Sequence, residues 1–500
     1  MKIQKFLLFL GMIHLLVSCT ATTRIEAPVK EARAVWYSRF EYCNYTRTHD
    51  QDSIKQHIIQ TINKAADANF NIIIFQIRGN GDAYYKSDIE PWGELLTGEF
   101  GKDPGWDPLE FAIDVAHGRG LELHAWINTF PAWRGKNPPP ETVPLSPYLA
   151  HPEWLVCDSS GTPQPLTSHY VSFSPGVPAV HDYLINLAVD VIRRYDIDGI
   201  HFDYIRYPEG SVDRGYSHDA ISVERFNNSE TCNRFNFDWE DWQREQLNQF
   251  VYKMYNAVHN ADPAIKMSTA TIGSYQEGAW TAYHAVYQDG RRWAEMGKVD
   301  FIAPMIYWER SHPTQPFLPR SLEWQKNAYD RYSFPGLGSY RYNTDKDPHT
   351  WDETLGQIRD LRDLGFKGMV FFDAGSLEKH WKTIGRKEFA TPSNIPPMPW
   401  LDVPEPVRPT DITVEFLEKD RILVSWKNPD ESCIAHRYNI FISDTENPDS
   451  TSSKHLRMVT KIGETSAELQ LKTSDKYLFM SSLNKAWVES PLSDMIELID

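Results

Sequence analysis

Cysteine is scarce in this chain of 500 residues, with five in all, at positions 19, 43, 157, 232 and 433. The last four lack the paired spacing of a zinc site and are too scattered to define a disulfide framework. They are expected as isolated, mostly buried thiols. Positive charge is also in deficit: 51 Lys and Arg face 68 Asp and Glu, for a net charge of −17. Phosphate neutralisation needs clustered basic side chains, so nucleic acid is excluded as a partner. No Gly-rich phosphate loop follows the first strand-like run, and no His-Glu-x-x-His occurs. The usual signatures of a dinucleotide-binding sheet and of a zinc protease are therefore missing. Neither a cofactor nor a metal is expected.

Long apolar runs are absent except at the N-terminus, where Phe6 to Val17 is too short to span a bilayer. Lys2 and Lys5 precede it, and it ends in Leu16-Val17-Ser18-Cys19. This resembles a bacterial lipoprotein signal, which implies cleavage before Cys19 and acylation of that residue. Residues 1–19 are read as the signal and 20–30 as a polar tether. Contact with the membrane is then expected only through the anchor, on a protein of the cell envelope, with the outer membrane as its site.

Aromatic side chains are abundant, with 17 Trp and 24 Tyr. From Glu31 onward the chain repeats a rhythm of apolar strand, loop and amphipathic helix. Strand-like runs fall at Ala32–Ser38, Asn71–Ile77, Leu121–Asn128, Gly199–Ile205, Ile265–Ile272, Phe301–Trp308, Gly336–Tyr342 and Gly368–Asp373. Helical periodicity fills the intervals, as at Asp52–Asn69, Pro108–Arg119, Ala179–Tyr195 and Glu240–Asn260. Eight strands alternating with helices predict an α/β fold, a closed (β/α)8 TIM barrel over residues 31–391. Two long loops, Thr129 to Pro178 and Pro208 to Asp238, follow the third and fourth strands, where such barrels build their active face. A Pro-rich stretch, 392–409, reads as a stiff linker. Residues 410–500 alternate with period two and predict a small all-β sandwich. Trp426, Tyr438 and the late Tyr477…Asn484…Ser490-Pro491 run resemble a fibronectin type III module.

The fourth strand carries the chemistry. In Gly199-Ile-His-Phe-Asp203 the odd positions share one face, so Ile200 and Phe202 meet the helices while His201 and Asp203 point into the barrel. A carboxylate at the C-terminal end of a barrel strand is costly to bury unless it is paired or used. The same alternation puts Glu122, His124, Trp126 and Asn128 on one face of the third strand. Carboxylates fall at or beyond the ends of strands two, four, six and eight: Asp82, Asp203, Glu309 and Asp373. Two carboxylates in an aromatic cleft are what glycosidic cleavage needs, one as acid and one as nucleophile or base. Asp203 is assigned the second role and Glu309 the first, ahead of Asp373, Glu277 and Asp82, because Trp308 beside Glu309 would raise an acid's pKa. Arg78, Asn80, Asp82, His124, Trp126, Asn128, His201, Arg206, Tyr207, Tyr307, Trp308 and Asp373 are the candidate substrate contacts.

Taken in order, Glu31–Trp36, Phe75–Glu90, Gly105–Leu109, Gly120–Asn128, Asp198–Pro208 and Asp300–Trp308 resemble the glycosyl-hydrolase-like ten family of bacterial envelopes. The resemblance implies a (β/α)8 barrel acting on glycans, cell-wall glycan among them. It implies Asp203 as the functional carboxylate, with Arg78, Asp82, His124 and Asn128 at substrate-contact positions; it does not extend to Glu309. Two other readings stand beside the hydrolase: a glycan-binding lipoprotein without catalysis, and a metal-dependent hydrolase or deacetylase using His124, His201 and Asp203. A carbohydrate is the expected partner, and the sequence carries no signal for oligomeric state.

Overall fold

The computed structural model describes residues 27–44, 48–167, 169–343, 351–428 and 436–498. The lipidation signal with Cys19, and Cys433, lie outside the described residues. Cys43, Cys157 and Cys232 are free thiols.

Eight parallel strands close into a barrel. In chain order they are Ala32–Tyr37, Ile72–Arg78, Glu122–Asn128, Gly199–Asp203, Lys266–Ile272, Phe301–Ile306, a seventh in two pieces, and Gly368–Phe372. The ring is completed where Gly336–Leu337 pairs with both the sixth and the eighth strand, and the eighth with the first. The seventh strand departs from expectation. It runs as Tyr332–Ser333 and Gly336–Leu337, and residues expected to extend it form the 3-10 turn Ser339–Asn343. Pro335 sits between the pieces, and without an N–H it cannot continue the ladder.

The helices follow the predicted rhythm because their starts are written locally. Asp50 accepts the Ser53 N–H at 2.9 Å to cap Gln51–Asp67, Asp107 caps Pro108–Gly118, and Asp238 caps Trp239–Ala261. Pro108 stands in the first turn of its helix, where a missing N–H costs nothing. Ile200 and Phe202 are buried in the layer between strands and helices, while Ala34, Trp36, Ile74, Trp126, Ala270, Phe301 and Val370 fill the barrel interior. The alternation read from the sequence thus names the correct faces.

The C-terminal region forms two antiparallel sheets. One orders Thr410–Glu418, Arg421–Lys427 and Ser466–Gln470; the other Leu456–Val459, Arg437–Ser443, Tyr477–Leu483 and Ile496–Glu497. Ile422, Val424 and Trp426 from the first pack with Tyr438, Ile440 and Met480 from the second. This region is docked on the barrel rather than tethered to it. Ile395 and Met398 of the Pro-rich segment, with Leu483, Ala486 and Trp487, join the same apolar cluster as the barrel interior. The Trp487 indole N–H reaches Glu122 Oε1 at 2.6 Å, and Arg437 donates to the Gly120 carbonyl at 2.8 Å. The sheets therefore cover the barrel floor, the N-terminal ends of its strands.

Candidate active site

At the opposite end, the mouth opens into a cavity of about 1060 Å³. Its base is built from the ends of the second, third, fourth, sixth and eighth strands, through Gln76, Trp126, Asn128, Asp203, Tyr307 and Phe372. Its walls are the two long loops. The loop after the third strand folds back as a hairpin, Pro131–Arg134 against Tyr170–Ser172, and presents Arg134, His169 and Tyr170. The loop after the fourth strand presents Pro208, Glu209, Arg214 and Tyr216.

Asp203 is 7% exposed and lies opposite Asn128 in the strand register. Its Oδ1 accepts the N–H of Tyr204 at 2.6 Å. Tyr204 holds a left-handed backbone with φ of 57°, a costly conformation for a non-glycine residue and one that clusters at functional sites. Burial raises the Asp203 pKa, and the nearby Arg206 charge and the Tyr204 N–H offset only part of that rise. Asp203 forms no ion pair within 4 Å among the described residues. The Arg206 guanidinium instead stacks 4.4 Å over the Tyr204 ring, and its buried Nε has no partner among the described residues. A polar relay runs beside Asp203: Arg39 donates to Gln76 Oε1 at 2.9 Å, and Gln76 donates to Asn128 Oδ1 at 3.1 Å.

Of the expected contacts, the cavity gathers Asn80, Trp126, Asn128, Arg206, Tyr307 and Asp373. The others stand behind its wall. Arg78 is fully buried, forks onto both Glu90 oxygens at 2.7–3.0 Å, and donates to the carbonyls of Asn128, Thr129 and Pro131, so it anchors the exit of the third strand. Asp82 accepts the N–H groups of Gly79 and Asn80 at 3.1 and 2.6 Å and ties a tight turn. In that turn Gly81 has φ of 70°, and a Cβ there would lie 2.4 Å from the Ala132 carbonyl oxygen. His124 is buried toward the floor, its Nε2 2.8 Å from Glu122 Oε2. His201 lies one layer below Asp203, its Nε2 accepting the Trp36 indole N–H at 3.0 Å and its Nδ1 bonded to Ser268 Oγ at 2.8 Å. Burial, with the neighbouring His124 charge, lowers its pKa to about 3, so it is neutral. Tyr207 packs edge-on against Tyr287, and Trp308 faces His312.

Glu309, the expected acid, also stands outside the cavity wall. It is 8% exposed, does not line the cavity, and its Oε1 lies 3.4 Å from the Arg341 guanidinium. Residues outside the expected contacts also face the cavity, Phe40 and Glu41 among them. Both belong to the short helix Arg39–Asn44 that follows the first strand. Glu41 Oε2 accepts the Ser38 N–H at 2.6 Å and its Oε1 the Gly375 N–H at 2.5 Å. Asp373, just past the eighth strand, accepts the Ser376 N–H at 2.9 Å. Burial and then the Asp373 charge push the Glu41 pKa up to about 8, against the pull of its backbone hydrogen bonds. Asp373 is raised too, chiefly by burial. The signal available in the sequence was positional: Glu41 lies in the loop after a barrel strand, the segment that forms the active face.

The three residues of the metal-site alternative are not gathered. His124 is committed to Glu122, and both ring nitrogens of His201 are engaged below Asp203. Among the described residues no group of three or more His, Cys, Asp or Glu is placed to hold a metal ion.

The comparisons with known proteins point the same way. Residues 31–333 match the family described as Glycosyl hydrolase-like 10. Glycosyl hydrolase YngK of Bacillus subtilis (strain 168) is 27% identical over 405 residues, covering 76% of each chain. Glycosyl hydrolase DigH of Escherichia coli (strain K12) is 31% identical over 278 residues, 51% of this chain and 58% of DigH. Among solved structures, the glycoside hydrolase domain of PgaB (BpsB) from Bordetella bronchiseptica aligns with a TM-score of 0.51 at 14% identity. That match covers 72% of this chain and 99% of the domain, and is a likeness of fold. The family match spans more than half of the sequence and includes the first six barrel strands, so this chain belongs to the Glycosyl hydrolase-like 10 family.

Proposed function

We propose that this protein hydrolyses glycosidic bonds of a poly- or oligosaccharide, bacterial cell-wall glycan included, by a two-carboxylate mechanism with Asp203 as nucleophile or base. The observation that carries the reading is Asp203 itself: a buried carboxylate with no ion pair among the described residues, at a strand end, facing a cavity of about 1060 Å³. Phe40, Trp126, Tyr170, Tyr204 and Tyr216 line that cavity, and flat rings with polar edges suit sugar faces. The family membership supports the same class of chemistry. Arg78 and Asp82 act here by fixing the loops that shape the cavity, Asn128 and Arg206 by touching substrate. Glu309 is set aside as the acid because Arg341 pairs with it outside the cavity.

The C-terminal sheets are read as a fibronectin type III-like accessory, and the whole as an envelope lipoprotein anchored through Cys19. Incorporation of labelled palmitate, lost in Cys19→Ala, is the expected check on the anchor.

The function is tested by product analysis on peptidoglycan glycan and on a panel of plant and host polysaccharides, with wild type and Asp203→Asn. Wild type is expected to release reducing ends from at least one glycan, and Asp203→Asn to lose about 10²–10⁴-fold in rate. Glycan binding without turnover by the wild type would leave a carbohydrate-binding protein, and equal turnover by both would remove Asp203 from the mechanism.

A further inference from the structure

Resting on the hydrolase reading, we infer that Glu41 is the acid that protonates the leaving oxygen, and that Asp373 is the positioning residue that keeps it protonated. Asp203 ends the fourth strand, whereas Glu41 and Asp373 follow the first and the eighth, which are neighbours in the ring and pair through Trp36 and Phe372. The fourth and eighth strands stand four places apart in a ring of eight, on opposite sides of the mouth. A substrate crossing the cavity therefore meets Asp203 on one side and the Glu41–Asp373 pair on the other.

The two carboxylates of that pair flank one backbone point. A Cβ placed on Gly375 would lie 3.1 Å from Glu41 Oε1 and 3.6 Å from Asp373 Oδ1. Neither is ion-paired among the described residues, although arginines line the same cavity. Arg39, two residues before Glu41, turns its guanidinium to Gln76 and over the Phe40 ring. Tyr37, from the first strand, interacts with Glu41, Cys43 and Glu378; its hydroxyl is bonded to His57, and Glu378 is paired with Lys64 at 2.5 Å, so that lysine's charge is already matched. Like charges this close and partly desolvated do not both ionise near neutrality, so the pair keeps one proton. The unpartnered Nε of buried Arg206, across the same cavity, marks this space as built for a polar ligand.

The proton count closes. Glu41 gives its proton to the glycosidic oxygen as the bond to the anomeric carbon breaks. Water supplies the hydroxyl to that carbon, directly with Asp203 as base or after a glycosyl ester on Asp203. The proton shed by water returns to the pair, through Asp203 and solvent in the first case and directly in the second.

The test uses the full chain with two kinds of substrate: a polysaccharide cleaved by the wild type, and dinitrophenyl glycosides of the same sugar, whose leaving group needs no protonation. Glu41→Gln is expected to lose about 10²–10⁴-fold on the polysaccharide. On the aryl glycoside its loss should stay within about tenfold, since general-acid help then contributes little. A Gln amide nitrogen cannot accept the second backbone N–H that Glu41 holds, so a second arm guards against misfolding. Asp373→Asn retains the acceptor for Ser376, and its alkaline limb is expected about one pH unit or more below that of the wild type, because the neighbouring charge is gone. Equal losses of Glu41→Gln on both substrates, or an unmoved alkaline limb in Asp373→Asn, would overturn the assignment. Wild type inert on every glycan and aryl glycoside would overturn the hydrolase reading itself, and the acid assignment with it. Wild type and Glu41→Gln equally active on both substrates would remove only the acid.

Discussion

The floor and the mouth of this barrel treat desolvated carboxylates in opposite ways. At the floor each is matched. Glu122 meets Lys266 at 2.8 Å, His124 and the Trp487 indole; Glu31 meets Arg33 and Arg362 at 2.7–2.8 Å; Asp198 accepts the Leu123 N–H at 2.9 Å and faces His117. Burial opposes ionisation at all three, yet these partners hold each carboxyl below its usual range. At the mouth the balance reverses: among the described residues the buried Asp203 and the half-buried Glu41 and Asp373 have no ion pair, and desolvation wins. The difference separates structure from chemistry. Acidic residues that open the first, fourth and sixth strands, Glu31, Asp198 and Asp300, tie neighbouring segments together; Asp300, for one, accepts the Met267 N–H at 2.6 Å. The unmatched carboxylates at the mouth are the ones the proposed hydrolysis assigns to proton exchange with a substrate.

Breaking the floor is expected to give the largest change in stability. Lys266→Met leaves Glu122 without its cation in a site where both residues are at most 1% exposed. Orphaning one member of a buried pair costs about 3–5 kcal/mol. Thermal unfolding of Lys266→Met should show that loss, and Glu122→Gln/Lys266→Met should recover a large share of it. A Lys266→Met protein as stable as wild type would mean that the floor carboxylate does not depend on its cation.

A smaller effect is expected where the C-terminal sheets touch the same carboxylate. Trp487→Phe keeps most of the ring packing but removes the 2.6 Å hydrogen bond to Glu122 Oε1. Hydrogen bonds to charged groups contribute about 1.5–3 kcal/mol. Denaturant midpoints should fall accordingly while activity on an aryl glycoside is preserved, since the cavity lies at the other end. Loss of activity in step with stability would show that the two ends are coupled.

How much of this contrast was legible in the sequence depends on which coordinate is asked for. Period-two alternation names the inward face, so Asp203, His201, His124 and Trp126 were all correctly turned into the barrel. Alternation does not name depth. His124 lies opposite Gly199 in the register and Asn128 opposite Asp203, so four residues along one strand separate the covered interior from the cavity. His124 and Arg78 therefore read as contacts although they stand behind the wall. Glu309 looked right because it follows the sixth strand beside Trp308; Arg341, from a later loop, pairs with it. Glu41 was hidden for the converse reason. Its chemistry comes from Asp373 and from the Gly375 N–H, 334 residues away in sequence, and no local pattern reports such a neighbour.

The mouth can be sharpened through pH, and here the expected effect is smallest. Glu41 rises from 4.5 to about 8 on folding, and Asp373 rises as well. Between those values the folded protein holds a proton that the unfolded chain has released, so stability is full below the ordinary carboxylate range and declines as pH approaches 8. The floor runs the other way: Asp198 and Glu122 stabilise the fold above their unfolded values and lose that contribution as pH falls through their depressed folded ones. Asp373→Asn removes the repulsion at the mouth and leaves the floor untouched. Melting temperatures of wild type and Asp373→Asn should coincide near pH 4 and separate towards pH 8, with the variant the more stable. The gap should be on the order of 1 kcal/mol, since one pKa unit corresponds to about 1.4 kcal/mol. A constant offset across that range would mean that Asp373 contributes packing alone and would remove the shared proton from the mouth.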